Sequence, residues 1–421
     1  MKTQIRLITL CAVCAFFLYA PASAADAPLD LATCMRLALK QSETVASSRE
    51  KIREAQGRFT RALGTILPHA SFERNEYLQD TAGQAAYKTR LYDQKFVFKQ
   101  TLFSGFKEFA GMSGSRSEVK QRTLETKRAS DLLFVDVADA FYLLLELRKD
   151  IEALAVTAQA LDDRIAELKN RVQVGKSRMS EIASTEVQLY STEAELNLAK
   201  NQEIVARDLL EFLIGQPVTE ITDETADVAI EKEPSYVKGA SLRPDVEATR
   251  YAWEADLKKA YVAKTGFLPS VNLEGNYYTH KNTDPEEGKW DALLTVSVPI
   301  FEGTETFGAV KEANAVAKQS ELAYQRVIRA ALQDIHDSYS LVSAALDRTA
   351  ALTKALQAAE QNYQLQQDDY RLNLVNNLDV LSAIQTLQDT RRNYYNAYYE
   401  ARRYYWQLRA ASGNLPQEKK Q

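Results

Sequence analysis

The sequence predicts a mostly α-helical fold with a membrane β-barrel contribution, written twice as helix, β-hairpin and long helical hairpin. Three observations predict it. No proline falls between Pro68 and Pro217 or between Pro299 and Pro416, and Gly175 is the lone glycine between Gly114 and Gly215. Such runs favour long helices, because proline removes a donor and glycine costs backbone entropy. Landmarks then recur in order: Leu67-Pro68 as Leu268-Pro269, Phe103-Ser104-Gly105 as Phe301-Glu302-Gly303, and Gly215 as Gly413, with 110 residues from the second mark to the third in both copies. Finally, short segments before each long helical stretch alternate apolar and polar residues, the period of a strand with two different faces.

The N-terminus reads as an export signal. Lys2 and Arg6 precede an apolar run from Leu7 to Tyr19, and Ala22-Ser23-Ala24 supplies a small-x-small cleavage pattern over residues 1–24. The run is too short for a membrane-spanning helix. Cleavage would remove two basic residues and no acid, shifting the net charge from −5 to −7. That balance, without a dense basic run, argues against nucleic acid. Cys11 and Cys14 leave with the signal, so Cys34 remains without an intrachain disulfide partner. Asp26, Asp30 and Thr33 make lipidation of Cys34 unfavourable and place it on the first helix.

The first copy, 25–215, has a helix over 29–64, a β-hairpin over 67–103 and a helical hairpin over 106–214 with its tip near 175–180. Leu154, Ala158, Leu161, Ile165, Leu168 and Val172 step by four and three, which is heptad spacing. The return arm carries Ile182, Leu189, Leu196, Ala206, Leu210 and Leu213. An arm of that length would span about 100 Å at 1.5 Å per residue, beyond an ordinary globular domain. Residues 216–241 read as an irregular acidic linker holding Pro217, Pro234 and Gly239. The second copy, 242–413, repeats the order as a helix over 243–266, a β-hairpin over 269–301 and a helical hairpin over 304–412 with its tip near 373–379. A polar tail, 414–421, follows. Gly175 in the first copy, and Asn373, Asn376 and Asn377 in the second, are the candidate tip turns, since Gly and Asn accept tight-turn backbone.

In the β segments, Trp290, Ala292, Leu294, Val296, Val298 and Ile300 share one face. In the first copy Phe96, Phe98 and Leu102 oppose Asp93, Lys95 and Lys99. Phe96, Phe98, Leu102, Trp290, Leu294, Val296 and Val298 are therefore candidates to face lipid. Four strands cannot close a barrel, and an open edge is not tolerated in a bilayer, so this reading requires several copies. A small soluble sheet packed on helices is the alternative.

Together the stretches Leu29-Asp30-Leu31 to Leu37-Ala38-Leu39, the two Leu-Pro pairs, Phe103-Ser104-Gly105, Arg171-Val172-Gln173-Val174-Gly175 and Leu378-Asp379-Val380-Leu381 resemble the TolC-like outer-membrane efflux protein family over the whole mature length. The resemblance implies a homotrimer whose twelve-stranded barrel lies in outer-membrane lipid and continues into a helical periplasmic tunnel. It implies a periplasmic adaptor and an inner-membrane transporter as partners, and a passive channel rather than an enzyme. It also places a constriction at the helical tips, with Asp379 at the family's acidic position, Tyr370 at a tyrosine that holds the entrance shut, and Glu181 beside Ser180 as first-copy counterparts. A carboxylate ring on a narrow axis disfavours anions. The plainer roles are a helix-start cap for Asp379 and helix packing for Tyr370. The sequence departs from some members at Ser382, where a second acid is absent, and in the tip turn, where Arg178 or Arg371 would have to replace a tying arginine.

His69, His280 and His336 are scattered, and no phosphate loop or nucleophile elbow is present, so no metal site, cofactor or catalytic residue is expected. The aromatic C-terminal helix, with Tyr394, Tyr398, Tyr399, Tyr405 and Trp406, reads as packing surface. A periplasmic adaptor is disfavoured because it would need one hairpin and glycine-rich β domains. A coiled-coil scaffold is disfavoured because it needs no duplicated strands.

Overall fold

A computed structural model describes residues 28–80, 88–223, 228–281 and 288–416. The expected export signal, residues 1–24, lies outside the described residues. The elements run α1 (Leu31–Gln41), α2 (Glu43–Gly64), β1 (His69–Asp80), β2 (Lys88–Phe103), α3 (Lys107–Gln173), α4 (Met179–Ile214), α5 (Glu233–Val237), α6 (Pro244–Lys264), β3 (Ser270–His280), β4 (Trp290–Ser297), α7 (Glu305–Arg371) and α8 (Asn377–Ala411). Both long arms, α3 and α7, have 67 residues, and their return arms have 36 and 35. Among the described residues no helix is long and apolar enough to cross a membrane.

Three sequence expectations need correction. The helix expected over 29–64 is broken at Ser42, whose ψ of 113° is extended. Serine favours the position just before a helix, and α2 starts immediately after it. The linker expected to be irregular contains α5 and a 3-10 turn at Ala240–Leu242, and Ile221 bridges to Leu29. The last strand stops at Ser297, so Val298 lies beyond it. Pro299 lacks an N–H for the ladder and restricts its predecessor.

The chain divides into two compact units, each drawing on both copies. One comprises Met1–Ser42, Leu133–Ile230 and Leu341–Trp406. Its core continues the heptad series: Leu154, Leu161 and Leu168 are fully buried, and Leu161 and Leu168 cluster with Ile165, Ile182, Leu189, Val380, Leu381 and Ile384. Farther along, Phe134 packs edge-on to Trp406 at 4.9 Å, and Tyr142 accepts a hydrogen bond from Trp406 Nε1 at 3.4 Å. The arginines flanking these aromatics are paired: Arg392 with Asp150 and Glu195 at 2.6 Å, Arg402 with Asp223 and Arg403 with Glu146 at 2.9 Å. Cys34 is buried inside α1, and burial pushes its thiol up to about 12, which makes it unreactive.

The second unit comprises Glu43–Leu132, Glu231–Ser340 and Gln407–Gln421. It holds one four-stranded antiparallel sheet in the order β1-β2-β3-β4. The Phe103-Ser104-Gly105 landmark ends β2 in a tight turn. Gly105 is left-handed (φ 67°), and a Cβ there would lie 2.7 Å from Leu268 Cδ1 and 3.0 Å from Thr265 Cβ. The first copy's landmark thus packs against the Leu-Pro landmark of the second. Gly105→Ala is expected to destabilise this unit by more than about 2 kcal/mol, through the left-handed backbone and the overlap together. A melting midpoint by circular dichroism equal to that of the parent would contradict this packing.

Candidate functional site

The tip of the first unit is built from helix ends. After α3, Gly175 takes φ 70°; its N–H donates to Val172 O, and Lys176 N–H donates to Arg171 O. After α7, Asn373 takes φ 59° with the same pair of bonds, to Tyr370 O and, from Leu374, to Asp369 O. Both are Schellman ends, which satisfy orphan carbonyls and need a residue that tolerates left-handed backbone. The helix start after the second turn is a reciprocal cap. Asn376 Oδ1 accepts from Leu378 N (2.7 Å) and Asp379 N (3.2 Å), while Asp379 Oδ2 accepts from Asn376 N (3.0 Å).

Asn377, expected in the turn, is instead the buried first residue of α8 and ties the two copies together. Its Nδ2 donates to Thr185 Oγ1 (3.1 Å) and Glu181 O (3.3 Å), and its Oδ1 accepts from Arg164 Nε (3.0 Å).

Tyr370 is 4% exposed and packs inside its own chain. Its hydroxyl donates to Glu181 Oε2 at 3.3 Å, and Ser177 Oγ donates to the same oxygen at 2.5 Å. Two guanidinium groups lie over its ring, Arg164 with Cζ 3.6 Å from the centroid and Arg171 with Cζ at 4.5 Å. Arg171 also donates to Asn373 Oδ1, and Arg164 pairs with Glu167 at 2.7 Å. A desolvated cation over an aromatic face contributes about 2 kcal/mol. A hydroxyl bond at 3.3 Å is well beyond the usual O–H···O distance of about 2.8 Å and adds less. The ring, more than the hydroxyl, therefore anchors Tyr370. Of the residues expected at the constriction, the structure joins Tyr370 to Glu181. Asp379 and Ser180 are exposed, and Asp379 caps its helix without meeting Tyr370. Arg178 and Arg371 do not make the tyrosine contact; Arg164 and Arg171 do.

The sheet of the second unit has two chemically opposite faces. Register places Phe72 opposite Phe96, Phe96 opposite Tyr277, and Tyr277 opposite Trp290, an apolar row across all four strands. Below it, Leu273 faces Leu294 and Val271 faces Val296. Phe72, Phe96, Phe98, Leu102, Leu273, Tyr277, Trp290, Leu294 and Val296 are all exposed. The opposite face is polar: Lys95 meets Glu73 at 3.9 Å, Lys99 meets Glu274 at 3.5 Å, Thr101 donates to Asn272, and Asn276 donates to Asp291. No described strand pairs with the outer edge of β1 or of β4.

Comparison with known proteins agrees with these features. Residues 238–414 match the family model described as outer membrane efflux protein. Outer membrane protein TolC of Vibrio cholerae is 23% identical over 401 residues, covering 89% of this chain and 88% of that protein. The alkaline protease secretion protein AprF of Pseudomonas aeruginosa is 25% identical over 401 residues, covering 85% and 79%. The crystal structure of the outer membrane protein VceC from Vibrio cholerae superimposes with a TM-score of 0.80 at 21% identity over 91% of this chain and 96% of that one. CusC superimposes with a TM-score of 0.82 at 17% identity, covering 93% and 95%. This chain thus resembles the TolC-like outer-membrane efflux proteins, with the family model matched over residues 238–414. The relatives and structural neighbours named here are outer-membrane and secretion proteins.

The structure sharpens what the sequence left open at the tip. Arg164 and Arg171 lie seven residues apart on α3, and neither is among the residues expected at the constriction. Their common spacing with the core heptads was the available signal, since a residue seven positions from another returns to the same side of a coiled-coil helix.

Proposed function

We propose that three copies of this chain close one barrel in the outer membrane, four strands from each, and that their helical hairpins line a tunnel into the periplasm. Cargo passes through it passively, loaded by an inner-membrane transporter through a periplasmic adaptor. The observation that carries this reading is the sheet: an exposed apolar face, a polar opposite face and two open edges. In lipid, each unpaired backbone group is costly, so a lone four-stranded sheet is untenable there, and sister sheets complete the ladder. Phe96, Phe98, Leu102, Trp290, Leu294 and Val296 then face lipid, and the ion-paired face lines the lumen. Relatives bear names for alkaline protease secretion, pyoverdine export and cation efflux, so the family's duct serves unlike cargoes, and the transporter supplies selection. Fractionation tests the assembly: a heat-modifiable trimer in the outer membrane is expected, and a soluble monomer or dimer would reject it.

At the tip, three Asp379 carboxylates, one per subunit, form the acidic ring. Capping does not prevent this, because the side chain stays exposed while one oxygen holds Asn376. Asp379→Ala is expected to weaken block by multivalent cations in planar-bilayer recordings. Unchanged block would remove Asp379 from the constriction.

A further inference from the structure

We propose that the latch of the closed tip is the pair of guanidinium groups clamping Tyr370, with Arg164 and Arg171 as its gating residues, and that the hydroxyl–carboxylate bond of Tyr370 is secondary. This rests on the reading of the tip as the closed entrance. The contact joins the long arm of the first copy to the end of the long arm of the second, so the two hairpins cannot separate at the tip while both cations hold the ring. Its members are fixed from other sides. Arg164 is held by Asn377 and Glu167, and Arg171 by Asn373, so both copies position the cations. Arg164 Nη2 and Arg171 Nε are buried without a hydrogen-bond partner among the described residues. An aromatic face accepts N–H weakly, so Tyr370 offsets part of what those donors lack. Removing the ring exposes that deficit at two sites at once, whereas removing the hydroxyl leaves both contacts intact. Glu181 keeps Ser177 as a donor even without the tyrosine hydroxyl.

Single-channel recording of the full assembly in planar bilayers separates the two latches. Tyr370→Phe keeps the ring and loses the hydroxyl; its conductance is expected to stay at the closed-tip level of the parent. Tyr370→Leu keeps bulk but loses the π face, and Arg164→Met with Arg171→Met removes both cations; each is expected to raise conductance several-fold. The inference is overturned if Tyr370→Phe opens the channel as far as Tyr370→Leu does. It is also overturned if the double arginine variant assembles and conducts like the parent. Should that double variant fail to assemble, the Phe–Leu contrast decides alone, since it leaves both arginines in place. If Tyr370→Leu inserts as a channel and conducts like the parent, the clamp is not a latch; if Asp379→Ala is also silent, the tip is not the constriction and the underlying reading fails with it.

Discussion

Arg243→Met is expected to destabilise the unit that carries the sheet by about 3 kcal/mol, because it strips the partner from a buried ion network. The Arg243 side chain is 4% exposed and meets Asp245 at 2.7 Å and Asp334 at 2.9 Å. It also donates to Ala411 O at the end of α8, while Arg128 lies 3.7 Å from Asp245 and donates to Ala410 O. One cluster thus ties the start of α6, the middle of α7, the α3 arm and the last turn of α8. The cost falls at the low end for a broken buried pair, because Asp334 is half exposed and hydrates without its partner. The pH dependence gives an independent check. Burial alone would raise the Asp245 carboxyl, but the hydrogen bonds and charge of Arg243, with help from Arg128, hold it below the usual carboxylate range. A depressed carboxyl contributes stability above its unfolded pKa of about 3.9, and that contribution is lost as pH falls through the folded value. In Arg243→Met burial acts on Asp245 with less opposition, so the deficit is greatest near neutrality and shrinks in acid. Thermal melts from pH 7 to pH 3 measure this. A deficit that does not change with pH would assign the loss to packing alone.

How much of this was readable in the sequence depends on the range of each interaction. Leu154, Leu161 and Leu168 advertise their burial through spacing along one helix, and Gly175 and Asn373 advertise a turn because few residues accept left-handed backbone. Trp290, Leu294 and Val296 announce a two-faced strand by period alone. The break at Ser42 and the strand end before Val298 are one-residue effects of capping and proline chemistry, which periodicity averages away. The tip was legible in outline and wrong in its partners. Tyr370 stood out by resemblance, but the arginines over its ring sit about two hundred residues earlier, on the other copy. Heptad spacing shared with Arg171 is the one local mark on Arg164, and its partner appears only when α3 and α7 pack. Asn377 misled for a related reason: an asparagine in a turn-rich stretch suggests a turn, and only the packed hairpins supply Thr185 and Arg164 as its partners.

Leu294→Arg and Thr295→Arg are adjacent substitutions with opposite expected outcomes. Leu294 stands opposite Leu273 on the apolar face, and Thr295 stands opposite Asn272 on the polar face, where Thr101 donates to Asn272. An arginine facing lipid near the bilayer midplane costs about 2–4 kcal/mol, and a symmetric trimer carries that cost three times. A lumenal arginine stays hydrated and costs far less. Leu294→Arg is therefore expected to deplete the heat-modifiable assembly from outer-membrane fractions, while Thr295→Arg assembles and alters only ion selectivity in bilayer recordings. The contrast is informative because both residues are exposed in the isolated chain, so neither substitution disrupts a core. A soluble sheet would tolerate arginine at both positions, and a bilayer sheet facing the other way would reject Thr295→Arg instead. Only a wall whose Leu294 face meets lipid rejects the first and accepts the second.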